Sequence, residues 1–432
     1  LQQLRVRSLS TVCEMADRSS QTTNFEGRCL ALGISFVLGL GTYLPWTTMV
    51  TTIDSYANLF PYHTSRILTL IYQSITIGVL SVLVYKEASL NTRLRNLFGY
   101  SLFAFCSLAV LVWQLDLSTL GRGSISSFIG LCIISVVFGV ANAHVQGGMI
   151  GDFSMMAPEF VQSFLAGLAA SGALTSGLRL VTKATFKNSR EDLRKGAMLL
   201  FAISVFFEFV CIILYAYIFP KLAIVKYYRA QAMAQGSKTV LADLAAGGIQ
   251  GLPTEKAKEA KMILDQRFSN KVLFLMNMDY AINLFLVYLL TTSIFHGFLS
   301  KDMGKHNLGD WFLLVLIAVF NFSDLVGRYV PLVKKLKIRS QKVLMIISCG
   351  RFLLVPALYF TAKYGNQGWI IFLTSVLGSS NGYLTVCILT TAPEGHLAPE
   401  QNALGNILVL CLSGGMFAGV ICDLALFIGK GW

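Results

Sequence analysis

The sequence predicts an all-α polytopic membrane protein with eleven transmembrane helices. Of its 432 residues, 55% are apolar and 13% are charged, whereas an average soluble domain is about 25% charged. Mean hydropathy is +0.64. Runs of about 20 mostly apolar residues, the length that crosses a 30 Å hydrocarbon core as a helix, recur along the chain. A soluble globular or a disordered protein is therefore excluded.

The apolar runs define the organisation of the chain. They lie at 29–51, 67–85, 97–116, 126–150, 160–182, 197–219, 272–295, 311–333, 342–362, 368–391 and 403–429. We expect an N-terminal tail at 1–27, a six-helix bundle at 28–219, a basic loop at 220–271 and a five-helix bundle at 272–432. Residues 1–14 precede Met15 and are expected not to be native.

The basic residues predict the orientation. Net charge is +13, and 220–271 carries nine Lys and Arg residues. Cytoplasmic loops are enriched in these residues, so we place this loop and the N-terminus in the cytoplasm. The segments that are then cytoplasmic hold 21 of the 35 Lys and Arg residues. One segment does not fit: 183–195 carries five Lys and Arg residues and would lie outside. The charge thus orients the protein and does not indicate nucleic-acid binding.

The eighth span, which reads FNFSDLVGRYVP, contains a polar stripe. Asn321, Asp324 and Arg328 are spaced i, i+3, i+7 and share one helical face. A charge inside a membrane is costly and needs an explanation. One interpretation is an ion pair, Asp324 with Arg328, that only helps the helix to insert. The other is a stripe lining a cavity for a neutral ligand that offers hydrogen-bond donors and acceptors.

Other polar or aromatic side chains interrupt the first, second and fourth spans. Asn142 and Gln146 present amides on one face of the fourth span, and Gln73 is an amide in the second. Pro45 kinks the first span, and the adjacent Trp46 offers a flat face on which a ring could stack. The alternative for Trp46 is an interfacial anchor.

Carboxylates cluster in the two short turns that are predicted to be cytoplasmic and hold no Lys or Arg. They are Asp152, Glu159, Glu394 and Glu400. We expect a gate of ion pairs between the two halves there, although charges at loop ends are commonly just solvated. Arg351, at the edge of the ninth span, is a further candidate for the pocket or gate.

Motifs of several enzyme and pump classes are missing from the sequence. It has no P-loop GxxxxGK[ST], no HExxH or paired CxxC for a metal, and no G-x-S-x-G elbow. We therefore predict no catalytic residue, no metal and no cofactor. A polytopic receptor or enzyme is the less favoured alternative, because no catalytic cluster supports it.

Six stretches together resemble the equilibrative nucleoside transporters, especially their plant members. They are GLGTYLPW at 39–46, GDFSMMAPEFVQSFLAGLAASGALTSGLRL at 151–180, FNFSDLVGRYVP at 320–331, RFLLVPALYFTAKY at 351–364, SNGYLTVC at 380–387 and PEQNALGN at 399–406. Their order and spacing match the family, as does the six-plus-five arrangement around a basic loop. The resemblance implies a major-facilitator-like transporter with two pseudo-symmetric halves and a central site.

The resemblance also implies roles for the polar residues. Trp46 is similar to the tryptophan near the nucleobase, and Gln146 to the glutamine that hydrogen-bonds the base. Asp324 and Arg328 resemble the pair that contacts the ribose hydroxyls, with Asn321 one turn before.

Three further positions belong to the implied pocket. Gln73 falls where the family lines its pocket, often with an apolar side chain. Thr47 and Tyr43 depart from residues common in other members, which leaves base selectivity open.

We therefore expect an integral membrane protein that moves purine and pyrimidine nucleosides by alternating access, either facilitatively or with protons. Asp152, Glu400 and Asp423 are the candidates for proton coupling. Nucleobases, cytokinin-like compounds and other small polar solutes are the alternative substrates. We expect a monomer in the plasma membrane, with the vacuole or another endomembrane as the alternative location, and the lipid bilayer rather than nucleic acid as its partner.

Overall fold

The computed structural model describes residues 27–52, 64–116, 125–185, 190–249, 267–297, 311–364 and 367–428. All regular secondary structure in these ranges is helical. The N-terminal tail, including residues 1–14, lies outside the described residues apart from Gly27. The predicted all-α fold class is confirmed over the rest.

The first half contains six long helices. They are α1 (Arg28–Thr51), α2 (Thr64–Tyr85), α3 (Thr92–Asp116), α4 (Ile125–Ser154), α5 (Pro158–Thr185) and α6 (Arg190–Ile213). A π-helical turn at Leu214–Ile218 and a 3₁₀ turn at Phe219–Lys221 extend α6. The 3₁₀ turn begins at the residue before Pro220, whose ring cannot continue an α-helix.

The second half contains the remaining spans. Its helices are α9 (Asn270–Met276), α10 (Met278–Gly297), α11 (Phe312–Tyr329), α12 (Gln341–Gly350), α13 (Leu354–Tyr364), α14 (Gln367–Thr391) and α15 (Ala398–Ile428). A bend of 76° separates α9 from α10, and a 3₁₀ turn joins α12 to α13.

The number of spans agrees with the sequence. Ten of the described helical segments are long and apolar enough to cross a bilayer, and eleven qualify when α9 and α10 count as one bent span. Large apolar side chains such as Phe105, Phe206, Ile346 and Leu353 point outward and are exposed. In water such a surface would be unfavourable, whereas in a bilayer it faces lipid.

The linker between the halves is more ordered than the predicted loop. It contains α7 (Ala223–Ala234) and α8 (Leu241–Ala246). Ala232, Val240 and Leu244 are buried against Met155, after α4, and Ala398, at the start of α15. The helices form because these apolar side chains gain burial on the bundle. We call the end of the bundle that the linker covers the linker face.

The two halves repeat one packing scheme. In the first half α1 packs on α5, and in the second half α10 packs on α15 in the same way. Likewise α2 packs on α4, and α11 packs on α14. Across the halves, α2 packs on α15 and α5 packs on α11. These four crossing helices border the space between the halves, as the predicted pseudo-symmetry requires.

Glycine permits the closest of these contacts. A Cβ atom on Gly39 of α1 would lie 2.0 Å from the carbonyl oxygen of Phe164, and one on Gly167 of α5 would lie 2.0 Å from that of Phe36. The two backbones therefore touch directly, which is the usual use of small residues between membrane helices. This contact fixes the position of α1, which carries Tyr43, Trp46 and Thr47.

Candidate functional site

A cavity of about 190 Å³ lies between the two halves. Helices α1, α2, α4 and α5 line it on one side, and α10, α11, α14 and α15 on the other. Eight of the residues singled out from the sequence line this cavity: Tyr43, Trp46, Thr47, Gln73, Gln146, Asn321, Asp324 and Arg328. The structure thus brings together residues from four helices that are as much as 285 positions apart in the sequence.

The acidic and basic groups of the stripe form one buried pair. Asp324 is 5% exposed and Arg328 is 6% exposed. The Nε and Nη2 atoms of Arg328 each lie 3.0 Å from Oδ2 of Asp324. The pair also lines the cavity, which favours the interpretation of a ligand-binding stripe over that of an ion pair that only helps insertion. A buried carboxylate and guanidinium together can bind hydroxyl groups and ring heteroatoms of a neutral ligand.

A hydrogen-bond network from three other helices holds Asp324. Asn381 of α14 donates to Oδ1 of Asp324 over 2.8 Å and accepts from Thr291 of α10 over 2.9 Å. Arg351 in turn donates to Thr291 over 3.0 Å. Arg351 does not line the cavity; it supports the carboxylate through Thr291 and Asn381. Such a connected set of buried groups fixes the orientation of Asp324.

Arg328 is also held by the opposite half. Its Nη1 atom donates to the carbonyl oxygen of Leu165 on α5 over 2.5 Å. Gln162, one turn before Leu165, donates to the carbonyl oxygen of Arg328 over 2.9 Å. The same side chain therefore lines the cavity and joins the two halves.

Two amides face the cavity from the first half. Asn142 lies behind Gln146 and donates to its Oε1 atom over 3.1 Å. This contact directs the amino group of Gln146 away from Asn142, so that it can serve as a donor in the cavity. Gln73 approaches the sulfur atom of Met416 on α15 at 3.6 Å. Asn142 does not line the cavity and is thus a supporting residue, whereas Gln73 and Gln146 are buried amides that line it.

Trp46 has a partner on one side of its ring. The ring of Tyr72 stacks on it with a centroid separation of 3.8 Å and an interplanar angle of 6°. Trp46 is 5% exposed and still lines the cavity. This position favours the pocket interpretation over the interfacial anchor. One face of the indole is occupied, so a ligand ring can use the other face or the edge.

Asn321 sits at the contact between the halves. Its amide donates to the carbonyl oxygen of Gly172 on α5 over 3.1 Å. A Cβ atom at Gly172 would lie 2.8 Å from Oδ1 of Asn321. Asn321, Asp324 and Arg328 therefore face the same cavity, as their spacing predicts.

The carboxylates of the expected gate pair differently from the prediction. Glu159 pairs with Arg28 and Glu394 with Lys337, in each case within one half. Asp152 pairs with Arg229 of the linker over 2.7 Å. The predicted direct ion pairs between the halves are therefore wrong for these three. Asp152 lies at the linker face, outside the cavity lining.

Glu400 also differs from the expectation. It accepts hydrogen bonds from the backbone N–H groups of Phe268 and Leu397 at 3.0 and 3.3 Å, and His396 lies 3.5 Å away. It holds the end of the linker and the first turn of α15, where a carboxylate also satisfies free N–H groups. A separation of the halves leaves its contact with Leu397 unaffected.

Other residues connect the halves at the linker face. Arg95 of α3 donates to Oδ1 of Asn406 on α15 over 2.8 Å, and Asn402 donates to Glu87 over 2.5 Å. Arg267 also pairs with Glu87 over 2.7 Å. Burial raises the pKa of Glu87, although Arg267 opposes this shift. These contacts close the linker face below the cavity.

Several residues of the site are not apparent from the sequence. Asn381 lies within the small and polar run SSNG of the tenth span, which is a detectable signal. Tyr288, Thr291 and Met416 also line the cavity or support it. They lie among ordinary membrane residues, so their location follows from helix rotation, which no local pattern encodes.

The architecture and the cavity define a class of protein. Two helical bundles with a cavity between them, closed at one end by contacts between the bundles, have the architecture of the major facilitator type. The proton:xylose symporter XylE, solved with 6-bromo-6-deoxy-D-glucose, superposes with a TM-score of 0.66 over 94% of this chain and 90% of its own, at 12% identity. A bacterial homologue of the iron transporter ferroportin gives 0.52 over 92% and 91%, at 14% identity. These similarities concern the fold alone.

Sequence comparison identifies the family. The profile described as "Nucleoside transporter" matches residues 132–427. Equilibrative nucleotide transporter 2 of Arabidopsis thaliana is 66% identical over 412 residues, which cover 95% of this chain and 98% of the relative. Equilibrative nucleotide transporter 3 of the same plant is 54% identical over 419 residues, which cover 96% and 99%. The chain belongs to the nucleoside transporter family; it is an integral membrane transporter and not an enzyme.

Proposed function

We propose that this protein carries purine and pyrimidine nucleosides across the membrane by alternating access, with the cavity as the substrate site. The observation that carries the proposal is the Asp324–Arg328 pair, which lines the cavity and is bonded to the opposite half through Leu165. A ligand that engages this pair competes with the contact between the halves. Binding is thereby linked to opening of the linker face.

The chemistry of the cavity fits a nucleoside. Asp324 and Arg328 offer acceptors and donors for the ribose hydroxyls. Gln146 and Gln73 offer amides for the base, and the uncovered side of Trp46 offers apolar contact for a ring. These roles are part of the proposal.

The charge of the cavity favours nucleosides over nucleotides. Among the residues described as lining it, Arg328 is the single cation, and Asp324 neutralises it. A phosphate group carries up to two negative charges and requires several donors or cations. A nucleobase would leave the ribose-binding pair without a ligand. A neutral nucleoside uses both ends of the site.

We further propose that the linker face is cytoplasmic. The excess of Lys and Arg in the linker supports this orientation. The described state is then closed toward the cytoplasm. We place the protein in the plasma membrane as a monomer; imaging of a fluorescent fusion against plasma-membrane and vacuolar markers tests the location.

The substrate is tested by uptake into proteoliposomes. Labelled adenosine and uridine should enter and should be displaced by an excess of either nucleoside. Uracil, adenine, trans-zeatin and adenosine monophosphate should displace them weakly. Transport of neither nucleoside would reject the function, and strong competition by the free bases, the cytokinin or the nucleotide would reject the substrate class.

A further inference from the structure

A carboxyl group with no partner lies inside the first half. Glu208 of α6 is completely buried, and neither of its carboxyl oxygens has a hydrogen-bond partner in the described part of the chain. It lies in the sixth span, within FFEFV. The substrate cavity does not reach it, so the proposed function gives it no task.

Among the described residues, none that contacts Glu208 is a counter-ion. The titratable groups beside it are Tyr100 of α3 and Cys211 on α6 itself, and neither carries a positive charge. From α1 the neighbour is Gly41, and the next residue, Thr42, lies within hydrogen-bond distance of Tyr100. Arg179 of α5 lies next to Gly196, which is 12 residues before Glu208 and thus about 18 Å along the helix.

This environment accepts the carboxyl group in its uncharged form. An ionised carboxylate without a partner in a low-dielectric interior is strongly unfavourable. Burial of a protonated carboxyl group at the same place costs much less free energy. The described conformation is therefore one that holds a proton on Glu208.

The three carboxylates that the sequence offers for proton coupling are unlike Glu208. Asp152 pairs with Arg229, Asp423 pairs with Arg66, and Glu400 accepts two backbone hydrogen bonds. Partners of these kinds stabilise the charged form. Glu208 is distinguished by having none.

Glu208 lies next to the helix that bears the aromatic part of the cavity. A Cβ atom on Gly41 of α1 would lie 3.5 Å from Oε1 of Glu208 and 2.4 Å from the sulfur of Cys211. Pro45 has no N–H group, so it leaves the carbonyl oxygen of Gly41 without its helical donor. Tyr43 and Trp46 lie within the next five residues of α1. A charge that forms at Glu208 therefore acts directly on the part of α1 in which Pro45 removes a helical hydrogen bond.

Buried polar groups extend from Glu208 toward both faces. Asn96 of α3 donates to the hydroxyl oxygen of Tyr215 at the end of α6 over 2.9 Å. Because α3 and α6 are antiparallel neighbours, this contact places Ser107 of α3 opposite Ser204 of α6. Ser204 is one helical turn from Glu208, on the side away from the linker. Both serine hydroxyl groups are buried and lack a partner among the described residues.

On the side of the linker, the rings of Tyr100 and Tyr215 are 6.4 Å apart. Tyr215 in turn lies beside Asp243 and Arg229 of the linker. Hydroxyl groups therefore lie on both sides of Glu208, toward the linker face and toward the opposite face of the bundle.

We propose that Glu208 is a proton-binding site that couples nucleoside transport to a proton gradient through helix α1. A hydronium ion on the side opposite the linker gives its proton to the Glu208 carboxylate and leaves water. After the halves rearrange, the carboxylic acid gives this proton to water on the linker side. This inference rests on the proposed nucleoside transport.

The test uses the full-length protein in liposomes, with labelled uridine and two assays. A pH gradient, acidic on the side opposite the linker, should drive accumulation by the native protein. Exchange of labelled for unlabelled uridine should proceed without a gradient. The variant Glu208→Gln, which mimics the protonated carboxyl group, should retain exchange and lose gradient-driven accumulation. Glu394→Gln, at an exposed carboxylate in the turn before α15, should retain both.

The outcomes separate the two proposals. Accumulation by Glu208→Gln, or exchange without accumulation by the native protein, overturns the coupling and leaves nucleoside transport standing. Absence of exchange by the native protein rejects nucleoside transport instead. Infrared spectroscopy then tests the proton alone: the native protein should show a protonated-carboxyl C=O band at neutral pH that Glu208→Gln lacks. If Glu208→Gln does not fold, Glu208→Asp should shift this band, and an unshifted band overturns the assignment.

Discussion

Arg328 of α11 bonds at once to Asp324 on its own helix and to the backbone of Leu165 on α5, so one guanidinium contributes to the cavity and to the contact between the halves. In a transporter that works by alternating access these two tasks have to be linked, because substrate binding shifts the equilibrium between the arrangements of the halves. The link here is a single side chain whose donors are shared between them.

Replacement of Asp324 by Asn should reduce uridine uptake more than tenfold. The variant keeps the shape of the side chain but loses the charge that accepts from Arg328 and Asn381, and a hydrogen bond to a charged group contributes about 1.5–3 kcal/mol. Initial uptake rates, corrected for the amount of reconstituted protein, measure the effect. Unchanged uptake would reject the assignment of Asp324 to the substrate site.

Arg328→Met should lose stability as well as transport. It leaves Asp324 buried without its cation, and such a break costs about 3–5 kcal/mol. The double variant Asp324→Leu/Arg328→Met removes both charges and should recover thermal stability in detergent while it stays inactive. A double variant as unstable as Arg328→Met would show that the loss comes from packing.

Asn381→Leu should raise the KM for uridine by about tenfold, because the remaining donors no longer fix Asp324 and removal of one buried partner costs about 1–3 kcal/mol. Asn381→Asp would place a second carboxylate next to Asp324 and should be worse. The initial uptake rate, measured as a function of uridine concentration, separates a change in KM from a change in the maximal rate for both variants. Equal KM values in all three proteins would contradict the supporting role of Asn381.

Gly39→Ala should destabilise the protein and lower its yield. The added methyl group would meet the backbone oxygen of Phe164, and the backbone of α5 cannot move away as a flexible side chain can. Gly33 lies on the same helix, and a Cβ atom there would have no neighbour within 4 Å. Gly33→Ala is therefore the matched control, and it should be neutral or slightly stabilising. Similar melting temperatures for the two variants would refute the close contact.

Docking of the linker should weaken as the pH rises toward neutral. Burial raises the pKa of Asp243 to about 6; Arg229 and Arg93 oppose this shift and Asp152 adds to it. An unfolded Asp has a pKa of about 3.9, so the contribution of Asp243 is complete below that value and is lost as the pH rises through about 6.

Hydrogen exchange of α7 and α8, corrected for intrinsic rates, measures this change. Asp243→Asn cannot ionise and should make the protection independent of pH in this range. Protection of the native linker that increases from pH 4 to pH 7 would contradict the prediction.

Hydropathy and spacing predict most of the fold and part of the site. The eleven spans follow from apolar length, and the stripe of Asn321, Asp324 and Arg328 follows from helical periodicity. Which side chains pair across helices cannot be predicted from hydropathy and spacing, because the pairing depends on how each helix is rotated about its axis. Asp152 pairs with Arg229, which is 77 residues away in the sequence. Tyr72 covers one face of Trp46, and Glu208 has no charged neighbour in the part of the chain that the structure describes; no local sequence pattern indicates either fact.

The docked linker has a kinetic consequence. It bonds to the first half through Arg229 and Asp152, and to the second through Gln235, which accepts from the backbone N–H of Ala398 over 2.8 Å. It thus holds both halves at a high effective concentration on this face. A change in the linker alters how often the halves part without touching any group of the cavity. A sequence change in the linker can therefore alter turnover while every side chain that lines the cavity stays the same.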